Sequence, residues 1–310
     1  MTSMKIFIDP RMITAKHADQ LRLRFPQITL TADPREGEDA DAIFCHPAYA
    51  IKENLDRYPS LAWVQIMMAG FNTADLRELR RRGIAVTNMK DIFHLAVAED
   101  VFTKILAINR NVRHYYEMMP LGRWEPIRHE PEIYGSTIGI LGAGSIGSAV
   151  ALRMKAFGAR TIGWRRKNAP SGGFDEIVTG RDGLDNLLTE SDYIVITLPL
   201  SEETDRLIGA REIGMMKTNA VLINVGRGEI IDQNALVEAL RLGRIRGAGL
   251  DVTTPEPLPP DHPLWHLPGV YITPHNASSS PFVWPRIVTV LEQNIELYLA
   301  GQPLINRVED

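Results

Sequence analysis

The sequence predicts an α/β protein built from two parallel sheets, each wound with helices. Three observations carry this. The chain has 310 residues, which at roughly 150 residues per domain gives two domains, each with a sizeable core. Short apolar runs alternate with amphipathic stretches over the first hundred residues, and the alternation restarts at Thr137 after a helix and an irregular segment. Strands that alternate with helices form parallel sheets through crossover connections.

In order, residues 5–8 read as a strand ended by Asp9-Pro10. A helix at 17–25 sets Leu21 and Phe25 on one face, with Arg22 and Arg24 off it. Strands follow at 28–30, 42–45, 61–67 and 84–87. A helix at 73–82 turns Leu76 and Leu79 inward and Arg77, Glu78, Arg80 and Arg81 outward. Val97, Val101, Ile105 and Ile108 recur at three- and four-residue spacing, which predicts one long helix over 96–119. Pro120, Gly122 and Pro126 end it, and the irregular segment to about Gly135 marks a domain crossing. A strand at 138–141, a helix at 145–157 and a strand at 160–164 come next, then strands at 193–198, 220–225, 248–252 and 270–273. Helix 234–242 closes on Gly243, the loop 254–260 is proline-rich, 274–285 is irregular, and a last amphipathic helix spans 287–300.

Composition excludes several classes of function. Lys plus Arg is 34 and Asp plus Glu is 38, a net charge of −4. Proteins that grip nucleic acid or anionic membrane want a basic surface. The single cysteine, Cys45, excludes an internal disulfide and a cysteine-based zinc cluster. No apolar run reaches the length of a signal-peptide core or a membrane span, so the expected location is cytoplasmic. His46, His94, His114, His129, His262 and His266 lack a metal-ligand spacing, and no metal site is expected.

Gly142-Ala143-Gly144-Ser145-Ile146-Gly147 matches G-x-G-x-x-G between an apolar strand and a helix rich in Ala, Val and Leu. The first glycine permits a tight turn, the second lets backbone approach a pyrophosphate, and the third lets helix pack on sheet. Phosphate then rests on the N–H groups at the positive end of the helix. An NAD site usually has an acid about 20 residues on, to bind the ribose hydroxyls. Here the next strand ends in Trp164-Arg165-Arg166-Lys167. A guanidinium fork binds a 2′-phosphate that a carboxylate would repel, so NADP(H) is preferred and NAD(H) remains usable.

Arg227, Glu256 and His275 each follow one of three later strands. Ligands of open parallel sheets bind at the carboxyl ends of strands. The trio suits hydride transfer to a 2-oxo acid. Arginine holds the carboxylate and polarises the carbonyl. Histidine gives the nascent alkoxide its proton and takes it back in oxidation. A carboxylate on the other imidazole nitrogen favours the protonated ring and orients it. Phe282 and Trp284, after the histidine, either wall the substrate pocket or pack the start of the last helix.

With these residues in view, the chain resembles the D-isomer-specific 2-hydroxyacid dehydrogenases. The resemblance rests on the glycine turn, Leu198-Pro199-Leu200-Ser201-Glu202-Glu203-Thr204, Asn224-Val225-Gly226-Arg227-Gly228, Asp251-Val252 with Glu256-Pro257-Leu258-Pro259, and Thr273-Pro274-His275. The N-terminal part matches in outline, through Ala69-Gly70-Phe71-Asn72 and Val97-Ala98-Glu99. The family implies an Arg227–Glu256–His275 catalytic set and backbone contacts from residues 69–70 to the substrate carboxylate. It places Pro199 near the adenosine and Asp251 facing the nicotinamide carboxamide. Leu198, Thr204, Val225 and Gly226 complete the implied cofactor contacts. It also implies a discontinuous flavodoxin-like substrate domain, 1–98 with 286–310, and a Rossmann nucleotide domain, 99–285. A cleft closed by hinge motion would lie between them. Homodimerisation through the nucleotide domain is implied, and the apolar face of the long helix suits it. The basic cluster at 165–167 resembles the NADPH-using glyoxylate and hydroxypyruvate reductases. Two departures, Asn88–His94 and Asn276-Ala277-Ser278-Ser279-Ser280, touch the choice of substrate rather than the reaction. The family also resembles C-terminal-binding corepressors, so a nucleotide-sensing interaction protein is the alternative.

Overall fold

A computed structural model describes residues 4–167 and 172–308. The chain divides into two compact units, Met1–Phe93 with Ser280–Asp310, and His94–Ser279.

The first unit runs β1 (Met4–Ile8), α1 (Ala15–Arg24), β2 (Ile28–Thr31), β3 (Ala42–Cys45), α2 (Lys52–Leu55), β4 (Trp63–Ile66), α3 (Leu76–Arg81) and β5 (Ala85–Thr87), and takes back a closing helix, Val283–Leu299. Its five strands are parallel in the order β2-β1-β3-β4-β5, the flavodoxin-like arrangement. β3 and β4 are buried along their whole length, as central strands covered on both faces must be. On one face Ile6, Phe44 and Trp63 pack against Ile287, Leu291 and Ile295 of the closing helix. On the other, Phe7, Ile43 and Val64 pack against Leu55 and Leu79. The closing helix starts four residues earlier than its apolar spacing suggests, because Pro285 falls in its first turn, where a missing N–H costs nothing. Its fully buried Asn294 donates to Gln65 Oε1 at 3.2 Å and accepts the Ile305 N–H at 2.8 Å, which fixes the C-terminal segment on the sheet. Trp284 stacks on His17 with ring centroids 4.9 Å apart, and Phe282 is exposed beneath Arg286.

Glu78 is a correction to the outward face of α3. It is buried, and Arg81 and Arg82 each donate to its carboxylate at 2.7–2.8 Å. These two guanidinium groups lower its pKa from an ordinary 4.5 to about 2. A depressed carboxyl pKa stabilises the fold above the unfolded value, and that contribution is lost as pH falls through the folded value. Glu78→Gln therefore flattens the fall of Tm between pH 4.5 and about 2. An acid limb of unchanged slope in the variant would remove Glu78 from acid stability.

The second unit opens with α4 (His94–Asn109) and α5 (Val112–Met118), followed by β6 (Thr137–Leu141), α6 (Ser145–Ala156), β7 (Arg160–Trp164), β8 (Glu176–Val178), α7 (Gly180–Glu190), β9 (Tyr193–Ile196), α8 (Ala210–Met215), β10 (Val221–Asn224), α9 (Gln233–Arg241), β11 (Gly247–Leu250) and β12 (Val270–Ile272). The sheet order is β12-β11-β10-β9-β6-β7-β8, all parallel. The order reverses between β6 and β9, the switch point at which doubly wound sheets bind nucleotides.

The single long helix is in fact two. Asn111 takes a left-handed conformation at φ +47° between α4 and α5, which asparagine tolerates better than most residues. The apolar face of α4 is not an open surface either. Val101, Ile105 and Ile108 lie in the core with Ile138, Val150 and Tyr193. The exposed apolar residues come later, at Tyr116, Met119, Leu121 and Trp124. Three elements carry too weak a pattern to be read in sequence. β8 has one exposed and two half-buried residues, α8 has six residues, and Gly180 and Gly183 dilute the Leu184, Leu187, Leu188 stripe of α7.

Among the described residues, no helix is long and apolar enough to cross a membrane, and no group of three or more His, Cys, Asp or Glu can hold a metal. Cys45 is fully buried, and burial pushes its thiol up, away from reactivity.

Candidate active site

The glycine turn sits at the carboxyl end of β6, beside the switch point. Gly142 has φ +111°, and a Cβ there would come within 2.6 Å of Thr197 Oγ1. Thr197 Oγ1 donates to the Gly142 carbonyl at 2.8 Å and ties the turn to β9. A Cβ on Gly147 would fall 2.0 Å from the Gly142 carbonyl, so the start of α6 can approach the turn only with glycine there. A Cβ on Gly144 would meet nothing within 4 Å. Gly144 is exposed, with Ser145 and Ile146 half-buried at the first turn of α6 and Ala143 buried behind them. Two glycines required by packing and a third facing open space form a cradle that fits a pyrophosphate against helix N–H groups.

The basic cluster continues from β7. Trp164 is half-buried, and its indole N–H donates to the Gly180 carbonyl at 2.8 Å, so the ring is fastened to the start of α7. The Arg165 N–H donates to Val178 O of the edge strand β8 at 3.2 Å, and its side chain is half-buried. Arg166 is exposed and lies 3.8 Å from Glu203; Lys167 is exposed. The sequence reading missed β8 and with it the anchor that aims this cluster.

After β9, Leu198 is half-buried and Pro199 exposed. Thr204 is buried; its hydroxyl donates to Pro199 O at 2.8 Å and accepts the Ser201 N–H at 2.8 Å. Its visible function is to fold the turn that presents Pro199. In the other unit, Ala69 and Gly70 follow β4, and Asn88 Nδ2 donates to Ala69 O at 2.7 Å.

β10, β11 and β12 are neighbours, and the loops leaving their carboxyl ends carry Arg227, Glu256 and His275. Val225 and Gly226 lead to Arg227. Asn224 shapes this loop, its Oδ1 accepting the Gly226 N–H at 3.0 Å and its Nδ2 donating to Arg227 O at 2.8 Å. Arg227 Nη1 donates to Gly226 O at 2.6 Å. Gly228 then presses on the next loop so closely that a Cβ would lie 2.2 Å from Thr253 O. His275 Nδ1 is 2.8 Å from Glu256 Oε2, and the other carboxylate oxygen accepts the Thr253 N–H at 3.2 Å. Both side chains are partly open to solvent, 50% and 40% exposed. The structure thus brings Glu256 and His275 into contact and puts Arg227 on the adjoining loop. Gln233 clamps the proline-rich loop, accepting the Thr254 N–H at 3.0 Å and donating to Thr254 O at 2.7 Å.

His275 itself has φ +49°, and its N–H donates to Asp251 O at 2.8 Å. The Asp251 side chain is buried. Oδ1 accepts from Thr273 Oγ1 at 2.6 Å and the Asn276 N–H at 3.0 Å; Oδ2 accepts the Ala277 N–H at 3.0 Å. Beneath it lies Lys104 of α4, Nζ 4.0 Å from Asp251 Oδ1 and bonded to Asp100. The sequence reading passed over Lys104, although its spacing from Val101 and Ile108 puts it on the buried stripe of α4.

Known proteins resemble this chain along nearly its whole length. The family model for "D-isomer specific 2-hydroxyacid dehydrogenase, NAD binding domain" matches residues 102–277. A glyoxylate reductase of Thermococcus gammatolerans is 36% identical over 316 residues, 96% of this chain and 93% of that one. A glyoxylate/hydroxypyruvate reductase B of Pectobacterium carotovorum is 35% identical over 304 residues, 93% of each chain. Among solved structures, an acyclic imino acid reductase (Bsp5) in complex with NADPH and D-Arg superposes with a TM-score of 0.85 at 27% identity, covering 99% of this chain and 100% of that one. On the strength of the matched nucleotide domain and of relatives alike along nearly its whole length, the chain belongs to the D-isomer specific 2-hydroxyacid dehydrogenase family.

Proposed function

We propose that this chain reduces a small 2-oxo acid of the glyoxylate or hydroxypyruvate type to the D-2-hydroxy acid, reversibly and with NADPH preferred over NADH. One observation carries the reading. The His275–Glu256 pair stands at the carboxyl ends of the same parallel sheet whose switch point holds the glycine cradle. The reductases named above support the substrate class.

A bound nicotinamide supplies the hydride in reduction and accepts it in oxidation. The protein's part is to bind, orient and move one proton. Arg227 grips the substrate carboxylate and polarises the adjacent carbonyl with its planar fork. Glu256 accepts the Nδ1–H of His275 and turns Nε2 outward, toward the oxygen that becomes an alkoxide. Nε2 gives that oxygen its proton in reduction and recovers it in oxidation. The backbone of Ala69 and Gly70 is assigned to the substrate carboxylate on the family resemblance. On this reading His94–Ser279 is the nucleotide domain and the other unit the substrate domain.

Oxidation of NADPH by purified protein with glyoxylate and hydroxypyruvate tests the reading. Absence of turnover with either acid and with a wider 2-oxo acid panel would overturn it. Nothing in the site favours the corepressor alternative, which the same assay separates.

The cofactor preference rests on Arg165 and Arg166, where NAD sites offer an acid. A lower KM for NADPH than for NADH is expected. Replacing both arginines with alanine raises the NADPH KM by about tenfold or more, since charge-assisted phosphate contacts are lost, and leaves that for NADH within about threefold. Equal KM values in the unmodified enzyme would refute the preference.

A homodimer is also proposed, and its support moves from α4 to the exposed Tyr116, Met119, Leu121 and Trp124 of the following segment. Four large apolar residues exposed within nine positions of chain support an interface there. Sedimentation at twice the chain mass is expected, reverting to the chain mass in Trp124→Glu; a monomeric parent would end the proposal.

A further inference from the structure

Lys104 is a lysine with 1% of its surface exposed, in the middle of α4. Such burial is rare for an ammonium and needs a partner. Room for its stem exists because β11 carries Gly249 opposite: a Cβ there would come within 2.8 Å of Lys104 Cβ and 3.0 Å of Cδ. The ammonium bonds Asp100 one turn back on α4 and faces Asp251 Oδ1 at 4.0 Å. Asp251 in turn gathers the loop that carries His275, through Thr273 Oγ1, the N–H groups of Asn276 and Ala277, and its own carbonyl to the His275 N–H. A buried and a half-buried carboxylate therefore share one buried cation.

We infer that Lys104 is a positioning residue for the proton donor: it fixes the Asp251 carboxylate, and through it the left-handed loop that aims His275. The inference rests on the assignment of His275 above. His275 holds a φ of +49°, a conformation that persists only when its surroundings impose it. Asp251 gathers most of the imposing contacts; the His275 N–H is shared with Thr273 O at 3.0 Å, and Nδ1 meets Glu256. Without a cation, a buried carboxylate is strongly disfavoured and must shift, take up a proton or draw in water. Each outcome weakens its hold on the Asn276 and Ala277 N–H groups. Asp100 is in the same position on a smaller scale: burial pushes its carboxyl up against the pull of Lys104.

A simpler role for Lys104, neutralising Asp100 alone, makes a different prediction. Removing one member of a buried pair is destabilising, whereas replacing both with uncharged groups is often tolerated. Three variants separate the roles: Asp100→Asn, Lys104→Met and the two together. The double variant has no unpaired Asp100 charge and is expected to be more stable than Lys104→Met, yet it leaves Asp251 without its cation.

Two measurements are made on each. Amide hydrogen exchange at Asn276 and Ala277 in the cofactor-free protein reads the loop directly. Exchange there speeds up by about tenfold or more in Lys104→Met and in the double variant, against unchanged exchange in β6, while Asp100→Asn stays near the parent. Turnover reads the consequence: kcat falls on the order of tenfold to a hundredfold in the same two variants, as expected for a misaimed catalytic group. NADPH affinity by fluorescence titration falls by no more than about tenfold, since the phosphate cradle is untouched and only the Asp251 end of the implied cofactor contacts is disturbed. Parental exchange at Asn276 and Ala277 in the double variant overturns the inference, as does recovery of kcat there to the level of Asp100→Asn. Faster exchange with unchanged kcat would uphold the link to the loop but remove His275 from its catalytic assignment.

Discussion

Replacement of His275 with alanine lowers kcat for 2-oxo acid reduction by about three orders of magnitude, the upper part of the range that a positioned acid contributes. The loss falls on kcat because, among the described residues, His275 is the side chain bonded to Glu256, at 2.8 Å through Nδ1. Cofactor affinity is expected to stay within a few-fold, since the glycine cradle and the basic cluster belong to other loops. Backbone strain is a separate concern at φ +49°, so His275→Asn is the companion: asparagine accepts the left-handed region but cannot shuttle a proton at neutral pH. Both variants should be equally inactive. An Asn variant retaining more than about a tenth of parental kcat would transfer the proton role elsewhere.

Arg227→Lys loses about two orders of magnitude or more in kcat/KM, although the charge is kept. The reason is geometric. A guanidinium presents parallel N–H groups that hold a carboxylate and a carbonyl oxygen at once, whereas an ammonium is a single point. Removal of one preorganised donor from a developing oxyanion costs on the order of a hundredfold to a thousandfold. The loop is built to hold that side chain at one angle. Asn224 bonds both sides of the turn, and Gly228 lets it abut Thr253. Lysine keeps those backbone contacts, so the variant should fold as the parent does and the defect should appear in both kcat and KM. An Arg227→Lys enzyme within about fivefold of the parent would exclude bidentate recognition by this residue.

How much of this was legible before the structure depends on the range of the forces involved. Local pattern carried the strands. Residues 42–45 and the whole set of nucleotide-unit strands other than β8 follow from short apolar runs bounded by Gly, Pro or charge. It carried the glycine turn as well, because a tight turn, a close helix and a backbone open to phosphate impose glycine at fixed offsets. The position of Arg227, Glu256 and His275 after successive strands followed from chain order alone, since a parallel sheet brings the ends of its strands to one edge.

What the sequence by itself determined, then, was the α/β class, the nucleotide cradle and the residue types that carry the chemistry; each is set by spacing within a short segment or by the direction of a strand. The tertiary structure alone decided the break of the long helix at Asn111, the burial of Glu78 between two arginines, and the edge strand that anchors Trp164 and Arg165. It alone decided that Lys104, on α4, lies under Asp251, on the loop after β11 and far along the chain. Each depends on what folding packs against a segment: the two arginines of Glu78 lie within one turn of it, but its burial does not follow from that spacing, and the edge strand and Lys104 find partners distant in the chain. No periodicity within one segment records what folding will bring beside it.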